Sequence, residues 1–287
     1  MTHTYDAVVI GAGYIGCAVA YNLAASGLRT ALLDRGSVAA GASQANYGNV
    51  QVQDAELSHS LPMVTTGHTR FANLEEELGC PVGYRPLGSL LLIETESQWH
   101  TMQARLPALH DAGISAEMVP ADHLSKLEPL LDCHSVLGAC YYPTEGQVNP
   151  FALMWAYVQK GQKQGLALHT HTEVTGFNLH SGQMRGLHTS RGYFSTGVVV
   201  LCTGAWTTRL GQQVGRQWGI QHVHGQAVVT ETTGLRLQNH IASAAFFEDM
   251  GEADSEAVLA ISQTAHGNFL LGEVGLVTTD LGAKSTK

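Results

Sequence analysis

Apolar and polar positions over residues 5–35 follow a pattern that predicts a strand, a helix and a second strand. Residues 5–10 form a short run of β-forming side chains. After it, apolar residues recur at the spacing of one helix face: Ile15, Ala18, Val19 and Leu23. Gly27 is placed to end this helix, and residues 30–33 form a second apolar run. We therefore predict one β-α-β unit with a right-handed crossover.

Weaker patterns of the same kind continue along the chain. Residues 36–52 have the Gly, Ala, Ser and Asn content of a long loop, and an apolar stripe predicts a helix over residues 67–78. The apolar run at 198–202 has no polar interruption, so it predicts a central, buried strand whose end faces a ligand. Further strand-like runs are found at residues 87–95, 166–174, 224–230, 257–262 and 268–271.

A helix start is predicted at Asn149 and Pro150, because asparagine caps helices well and proline suits the first turn. We expect the apolar side of this helix to face the core. That side is predicted to consist of Phe151, Met154, Trp155 and Val158.

Composition narrows the class of protein. The 287 residues are 44% hydrophobic and 14% charged, so the chain can bury a large core. A net charge of −9 repels phosphate backbones and argues against a nucleic-acid partner. No apolar run approaches the ~20 residues of a membrane span, so we predict no transmembrane segment, while contact with a membrane surface stays open.

The five cysteines form no C-x-x-C pair and their number is odd, which suits neither a disulfide framework nor a zinc site. The first residues lack the basic start and apolar run of a signal peptide. We therefore expect reduced thiols and a cytoplasmic protein, and association with a membrane through partners stays open.

A G-x-G-x-x-G loop, formed by Gly11, Gly13 and Gly16, joins the first predicted strand to the first helix. Gly11 permits a tight turn, Gly13 lets a pyrophosphate approach the backbone, and Gly16 allows close packing of helix on strand. The helix N-terminus then offers free N–H groups to the phosphates. Asp34 follows the second strand, where a ribose-binding carboxylate is expected. These residues predict a dinucleotide site.

The type of dinucleotide is left open by these residues. Asp34 would repel a 2′-phosphate and so argues against NADP, although Arg35 beside it can reverse that preference. Both NAD and FAD fit the pattern.

Six blocks of sequence resemble, in the same order, the FAD-dependent family of amino-acid oxidases and dehydrogenases. The blocks are GAGYIG at 11–16, GASQANYGNV at 41–50, EGQVNPFALMWAY at 145–157, THTEVTGF at 170–177, VVVLCTGAW at 198–206 and HGQAVVTE at 224–231. The family includes D-amino-acid dehydrogenases and glycine and sarcosine oxidases. The likeness is greatest to the flavin β-type subunits of opine oxidase, hydroxyproline dehydrogenase and hydrogen cyanide synthase complexes.

The resemblance implies an α/β fold in which a Rossmann-like FAD-binding domain carries an inserted α+β substrate domain built on an antiparallel sheet. The implied boundaries place the FAD-binding domain at 1–80 and 144–223, and the substrate domain at 81–143 and 224–287. Family members continue past the block at 267–272 into a closing strand, a second glycine-rich loop and a helix that cover the flavin ring and complete the substrate site. This sequence ends at Lys287, so we expect it to lack that C-terminal FAD segment.

The resemblance also assigns FAD contacts to individual residues. At the pyrophosphate it places Gly11, Ala12, Gly13 and Gly16. Asp34 is assigned to the adenosine ribose and Arg35 to the adenine end. The loop that runs towards the flavin ring is assigned Ala42, Ser43, Asn46, Gly48 and Asn49. Val174 is the residue whose backbone meets the adenine. The segment that crosses the cofactor is assigned Thr203, Gly204 and Trp206. Packing roles for Val174 and Trp206 stay open, and no catalytic residue is assigned.

The implied function is oxidation of the C–N bond of a small amino or imino acid by hydride transfer to FAD. The likeness to β-type subunits implies partner subunits of a heteromeric dehydrogenase, with O₂, a quinone or a subunit as the final electron acceptor. The alternative is a truncated, inactive or structural remnant of such an enzyme, and a third interpretation is an NAD-dependent dehydrogenase.

Other reactive side chains receive no role from the sequence. The pairs His169/His171 and His222/His224 have no third ligand near them in sequence, so we predict no metal. An arginine fork and a phenol can bind a carboxylate, but surface and packing roles are favoured for Tyr84, Arg85, Tyr141 and Tyr142. No G-x-S-x-G motif is present, so hydrolase chemistry has no support.

Overall fold

The computed structural model describes residues 2–247, 259–278 and 281. The chain folds into two compact units, each assembled from separate stretches of sequence. The first unit contains Met1–Asn46, Glu75–Gly83 and Asn149–His222, and the second contains Tyr47–Leu74, Tyr84–Val148 and Val223–Lys287. The first residues of the strand predicted at 257–262 lie outside the described residues.

Both units contain helices and strands. The described α-helices are α1 (Tyr14–Ala25), α2 (Leu61–Arg70), α3 (Leu74–Leu78), α4 (Glu96–Asp111), α5 (Ala121–Leu127), α6 (Pro150–Lys163) and α7 (Thr207–Gln212). The described strands are β1 (Thr2–Thr4), β2 (Ala7–Ile10), β3 (Thr30–Leu33), β4 (Asn49–Val50), β5 (Arg85–Pro86), β6 (Ser89–Ile93), β7 (Glu117–Pro120), β8 (Gly138–Tyr142), β9 (Gly146–Gln147), β10 (Ala167–His169), β11 (Val174–His180), β12 (Gln183–Thr189), β13 (Gly192–Ser195), β14 (Val199–Leu201), β15 (His222–Thr232), β16 (His240–Ser243), β17 (Ala260–Gln263) and β18 (Asn268–Thr278).

A parallel sheet in the order β10-β3-β2-β14 forms the centre of the first unit. Val8 of β2 lies between Ala31 of β3 and Val199 of β14. The side chains of β2 and β3 are buried throughout, as expected for a parallel sheet that is covered on both faces. The predicted β-α-β unit is confirmed, because β2, α1 and β3 follow one another and the two strands pair in parallel.

The parallel sheet is covered by helices on one face and by a second sheet on the other. Val9 and Leu32 pack against α1 and α6, where Ala20 and Met154 are fully buried. On the opposite face, the core includes Phe194 of β13. That second sheet has the order β1-β13-β12-β11. The three layers give the strand and helix termini around Gly11–Gly16 a rigid support.

The start of α6 is confirmed, because the Asn149 side chain accepts a hydrogen bond from the Ala152 N–H at 3.1 Å. The predicted apolar stripe is only partly correct. Phe151 and Trp155 are half exposed, while the buried side of α6 consists of Leu153, Met154, Ala156, Val158 and Gly161. The buried side is set by packing against α1, which favours close approach through small residues rather than through the two large aromatic rings.

Strand β14 departs from the prediction of a central, buried strand. It lies at the edge of the parallel sheet, and β2 is its only strand partner among the described residues. Its three residues are half buried, and Val198 just before it is 52% exposed. An uninterrupted apolar run shows that a segment is nonpolar, but it does not determine whether the strand lies in the centre or at the edge of a sheet.

The second unit is built on a sheet in the order β15-β18-β17-β16-β6-β8-β7. Met102 and Leu109 of α4 pack on one face with Leu91 of β6. Leu124 of α5 packs on the other face with Leu90. As expected for the substrate domain, the pairs β16–β17, β17–β18, β6–β8 and β7–β8 are antiparallel, whereas β16 and β6 pair in parallel. A long connection through the first unit separates these two strands in sequence, so no hairpin imposes an antiparallel arrangement.

The two units do not follow the predicted boundaries. Residues 47–74 were expected in the first domain, and the structure places them in the second unit. The reason is packing, because Val52 and Leu61 are buried in the same core as Leu91. The segment Glu75–Gly83 instead belongs to the first unit, where Glu77 accepts a hydrogen bond from the Tyr21 hydroxyl at 3.0 Å. In the part of the chain that the structure describes, no helix is long and apolar enough to cross a bilayer.

Candidate functional site

The glycine loop between β2 and α1 is shaped by two very close backbone approaches. Gly11 has a φ of +105°, and a Cβ placed on it would lie 2.3 Å from the carbonyl oxygen of Cys202. A Cβ on Gly16 would lie 1.7 Å from the carbonyl oxygen of Gly11. Any larger residue at either position would force backbone atoms apart. Gly11 and Gly16 are therefore required by the fold around the loop.

Gly13 is different, because only a side chain stands near its missing Cβ. The nearest atom would be Oγ of Ser43 at 2.8 Å, and the same oxygen accepts a hydrogen bond from the Tyr14 N–H at 3.1 Å. The N–H groups of Gly13 and Ile15 have no acceptor among the described residues. The Ile15 side chain is 68% exposed. The mouth of α1 thus offers free donors and open space, which fits a pyrophosphate.

Asp34 is held against the same loop by backbone hydrogen bonds. Its Oδ2 accepts from the Ala12 N–H at 2.7 Å, and its Oδ1 accepts from the Gly36 N–H at 2.7 Å. The side chain is half exposed, and each carboxylate oxygen has a further lone pair. The structure therefore brings Asp34 beside the glycine loop, and its contact with a ribose stays a prediction.

Arg35 and Trp206 lie together at one side of the loop. The Arg35 guanidinium lies 4.3 Å from the centroid of the Trp206 ring, a cation–π contact. Gly41 faces the same ring, since a Cβ placed there would lie 3.8 Å from it. Trp206 therefore packs against both residues, and its proposed place over the cofactor is not tested by this contact.

The loop that follows β3 divides between the two units. Ala42 and Ser43 lie in a short 3-10 turn of the first unit, and Asn46 accepts a hydrogen bond from the Tyr14 hydroxyl at 3.3 Å. Burial raises the pKa of Tyr14 to about 12. Gly48 and Asn49 belong to the second unit, where the Asn49 Oδ1 accepts from the Ser262 hydroxyl at 3.1 Å.

The remaining predicted contacts lie in different surroundings. Thr203 adjoins the glycine loop, because its Cα would be 3.3 Å from a Cβ on Gly11. Gly204 is exposed with a φ of +51°. The Val174 side chain is buried in the core between the two sheets of the first unit. Its side chain therefore has the packing role that the sequence left open, while a backbone contact with adenine stays a prediction.

A buried carboxyl group that the sequence analysis did not single out lies in the second unit. Glu145 is 1% exposed and accepts hydrogen bonds from the N–H groups of Val52 and Gln53, at 2.6 and 2.8 Å, and from the Ser89 hydroxyl at 2.5 Å. Burial raises the pKa of Glu145 to about 7, although these donors oppose the rise. The one feature of the sequence that points to Glu145 is its position as the first residue of the family-like block at 145–157.

The histidines singled out by spacing do not assemble a metal site. His169 instead forms a hydrogen bond with the Tyr5 hydroxyl at 3.0 Å. Burial lowers the pKa of His169. Within residues 2–247, 259–278 and 281, no three His, Cys, Asp or Glu side chains are grouped so that they could hold a metal ion.

This chain is similar to known proteins over most of its length. The profile of a family described as FAD dependent oxidoreductase matches residues 6–284. Glycine oxidase from Geobacillus kaustophilus is 30% identical over 249 residues, which are 84% of this chain and 65% of the oxidase. Sarcosine oxidase subunit beta from Rhodobacter capsulatus is 26% identical over 236 residues, which are 79% of this chain and 56% of that subunit.

A solved structure supports the same assignment at the level of the fold. The crystal structure of glycine oxidase from Geobacillus kaustophilus matches with a TM-score of 0.84 and 26% identity, and the match covers 97% of this chain and 73% of that chain. The predicted combination of a Rossmann-like FAD domain with a substrate domain is confirmed by this similarity. The chain spans less than two thirds of the length of the two curated relatives.

Proposed function

The chain belongs to the family of FAD-dependent oxidoreductases, and we propose that it oxidises the C–N bond of a small amino or imino acid. The observation that carries this proposal is the mouth of α1, where Gly13 leaves space and backbone N–H groups lack acceptors among the described residues. The named relatives, glycine oxidase and a sarcosine oxidase subunit, suggest amino acids as the substrate class. The glycine loop alone was compatible with both NAD and FAD. Because the family uses FAD, we propose FAD as the cofactor.

The first unit would hold FAD through its own fixed groups. The N–H groups of Gly13 and Ile15 would donate to the pyrophosphate, and Asp34 would accept from the ribose hydroxyls. Arg35, stacked on Trp206, would border the adenine end. Because Asp34 is already anchored by Ala12 and Gly36, little ordering is needed when the nucleotide binds.

When bound, FAD supplies a two-electron acceptor that takes a hydride from the carbon bearing the amine and leaves an imine, which water hydrolyses. The protein's part is to bind the substrate, orient its C–H bond and exclude water. The side chains that orient the substrate are expected in the second unit, where the structure collects buried polar groups around β4, β5 and β9.

The likeness to sarcosine oxidase subunit beta supports a second part of the proposal. We propose that this chain works with partner subunits and passes electrons to one of them or to a quinone rather than directly to O₂. The check is to compare O₂ consumption with the reduction of an artificial dye by the same preparation. Dye reduction without matching O₂ consumption would support a dehydrogenase, and rapid stoichiometric O₂ uptake would contradict it.

The activity itself is tested by anaerobic reduction of the bound flavin. Purified protein is expected to carry FAD with its visible absorption, and glycine, sarcosine, proline, a D-amino acid and an opine are then added in turn. Bleaching by at least one of them, with release of a keto or aldehyde product, is the expected result. FAD that binds but is bleached by none of these donors would favour the structural, inactive alternative.

A further inference from the structure

Tyr14, the first residue of α1, contacts a short turn of the loop that follows β3. We call this turn, residues 42–46, the 42–46 turn. The Tyr14 backbone N–H donates to the Ser43 hydroxyl oxygen at 3.1 Å, and the Tyr14 hydroxyl donates to the Asn46 side-chain oxygen at 3.3 Å. All three residues belong to the first unit. One residue at the start of α1 therefore binds the turn at two positions, three residues apart.

The 42–46 turn has little packing of its own. None of its 3-10 residues, Ala42–Ala45, is buried. The Asn46 Nδ2 donates to the Ser43 carbonyl oxygen at 2.5 Å, which fixes the amide group and leaves its oxygen to accept from Tyr14. An exposed turn of small side chains depends on hydrogen bonds of this kind for a fixed position.

Tyr14 itself is firmly held. Its ring is half buried and packs against the core that α1 shares with α6. Burial raises the pKa of Tyr14 to about 12, although the hydrogen bond to Asn46 opposes the rise. The hydroxyl therefore keeps its hydrogen at neutral pH and donates it to Asn46. A rigid helix thus supports the 42–46 turn through this side chain.

The position of the turn matters because Ser43 borders the space at Gly13. The Ser43 Oγ would lie 2.8 Å from a Cβ on Gly13, and this space is where a pyrophosphate fits. Asn46 lies three residues further along the same loop, which the resemblance assigns to the part that runs towards the flavin ring. The two contacts of Tyr14 therefore fix the turn beside the phosphates and beyond them.

We propose that Tyr14 is a positioning residue for FAD, whose hydroxyl holds Asn46 and the 42–46 turn in the place that the bound cofactor requires. This assignment rests on the proposed FAD site and deepens it, because the glycine motif itself specifies only its three glycines. A turn that is already in place loses less conformational freedom when FAD binds. The hydroxyl thus contributes to affinity by holding the turn before the cofactor arrives.

Tyr14→Phe tests the hydroxyl alone, because phenylalanine keeps the ring and the backbone bond to Ser43. The matched control is Tyr21→Phe on the same helix, where the hydroxyl donates to Glu77 at 3.0 Å, outside the turn. Fluorescence titration of the apoproteins with FAD should show about three- to tenfold weaker binding for Tyr14→Phe and a change below about twofold for Tyr21→Phe. Equal affinity in Tyr14→Phe and the natural protein would overturn the proposal.

ADP separates a positioning role from general damage to α1, since it carries the adenine, the ribose and two phosphates but no flavin. Tyr14→Phe keeps the bond to Ser43 beside the phosphate space and loses the bond to Asn46. It should therefore weaken FAD about threefold more than ADP in calorimetric titrations. Thermal melting shows whether each apoprotein is folded. Equal weakening of FAD and ADP would overturn the proposal.

A double-mutant cycle shows whether the hydroxyl acts through Asn46. Asn46→Ala should weaken FAD binding at least as much as Tyr14→Phe does. Adding Tyr14→Phe to Asn46→Ala should then weaken it by less than about twofold more, because the partner is already gone. Losses that add in full would overturn the proposal. The cycle also decides the question if ADP binds too weakly to titrate.

The two proposals fail in different ways. If FAD binds but no amine reduces it, the proposed C–N oxidation is wrong, and the FAD titrations still report on Tyr14. If the natural apoprotein binds no FAD, the proposed FAD site and the role of Tyr14 are both wrong.

Discussion

Two carboxylates, Asp34 in the first unit and Glu145 in the second, each accept hydrogen bonds from two backbone N–H groups. Asp34 is half exposed and its donors lie in adjoining loops, whereas Glu145 is 1% exposed and its backbone donors, Val52 and Gln53, are distant in sequence. The same chemistry therefore serves two purposes. Exposure leaves Asp34 available to a nucleotide, and burial restricts Glu145 to holding two segments of the second unit together.

The largest effect is expected from Glu145→Ala. The substitution leaves the N–H groups of Val52 and Gln53 and the Ser89 hydroxyl buried without an acceptor, so we expect a loss of about 3–4 kcal/mol in the free energy of unfolding. Denaturant unfolding of the second unit measures it. Asp34→Ala is the comparison and should lower the free energy of unfolding by less, about 1–2 kcal/mol, because the Asp34 side chain is half exposed and water can enter the space that it leaves. Equal losses of unfolding free energy in the two variants would contradict the structural role assigned to Glu145.

The second effect is a pH dependence of stability that Glu145→Gln should remove. The folded state keeps the Glu145 proton up to about pH 7, whereas the unfolded chain releases it near ~4.3. Between these values the folded state binds more protons, so the free energy of unfolding falls as pH rises, by about 3–4 kcal/mol.

His240 acts in the opposite direction over about pH 4 to 6.5, because burial lowers its pKa in the folded state. Subtracting the unfolding curve of Glu145→Gln from that of the natural protein cancels the His240 contribution. The difference should decline between pH 5 and pH 7 and be flat above. A difference that stays constant over this range would show that Glu145 is ionised throughout.

The third effect concerns FAD affinity in the first unit. Asp34→Ala should weaken FAD binding roughly 10- to 50-fold, about 1.5–2.5 kcal/mol, because the ribose loses its acceptor and the loop loses its anchor at Ala12. Asp34→Asn keeps one acceptor oxygen and should fall between. Fluorescence titration of the apoprotein with FAD measures both variants, and Glu145→Gln should bind FAD like the natural protein. Unchanged affinity in Asp34→Ala would contradict the ribose assignment.

The smallest effect is expected at Trp206. Trp206→Ala removes the ring on which the Arg35 guanidinium lies, a contact worth about 0.5–1 kcal/mol at an accessible site. FAD affinity should fall about two- to fivefold by the same titration. Trp206→Phe, which retains a ring, should lose less than Trp206→Ala. A loss as large as that of Asp34→Ala would instead mean that the indole itself contacts the cofactor.

The contrast between the two carboxylates also explains what the sequence could predict. Gly11, Gly16 and Asp34 were predicted correctly as neighbours because they lie within one β-α-β unit, where spacing fixes geometry. The start of α6 was predicted from the local cap at Asn149. These are short-range rules that apply before the rest of the chain is known.

The features that the sequence analysis missed depend on distant residues. The backbone partners of Glu145, Val52 and Gln53, come from a segment far away in sequence. Strand β14 reads as a central strand by composition, yet it lies at a sheet edge among the described residues. A single sequence reports the polarity of a segment, whereas its neighbours are decided by tertiary packing.

The central claim, that FAD binds at the mouth of α1, is tested most directly at Gly13. A Cβ there would meet only the Ser43 side chain, which can rotate away, so Gly13→Ala should fold while its methyl group fills the space that a pyrophosphate needs. We predict that the natural apoprotein binds one FAD per chain and that Gly13→Ala binds it at least about tenfold more weakly. The two apoproteins should melt within about 4 °C of each other, because rotation of Ser43 gives up only its hydrogen bond from the Tyr14 N–H. Equal FAD affinity in the two proteins, or no FAD binding by the natural protein, would contradict the account.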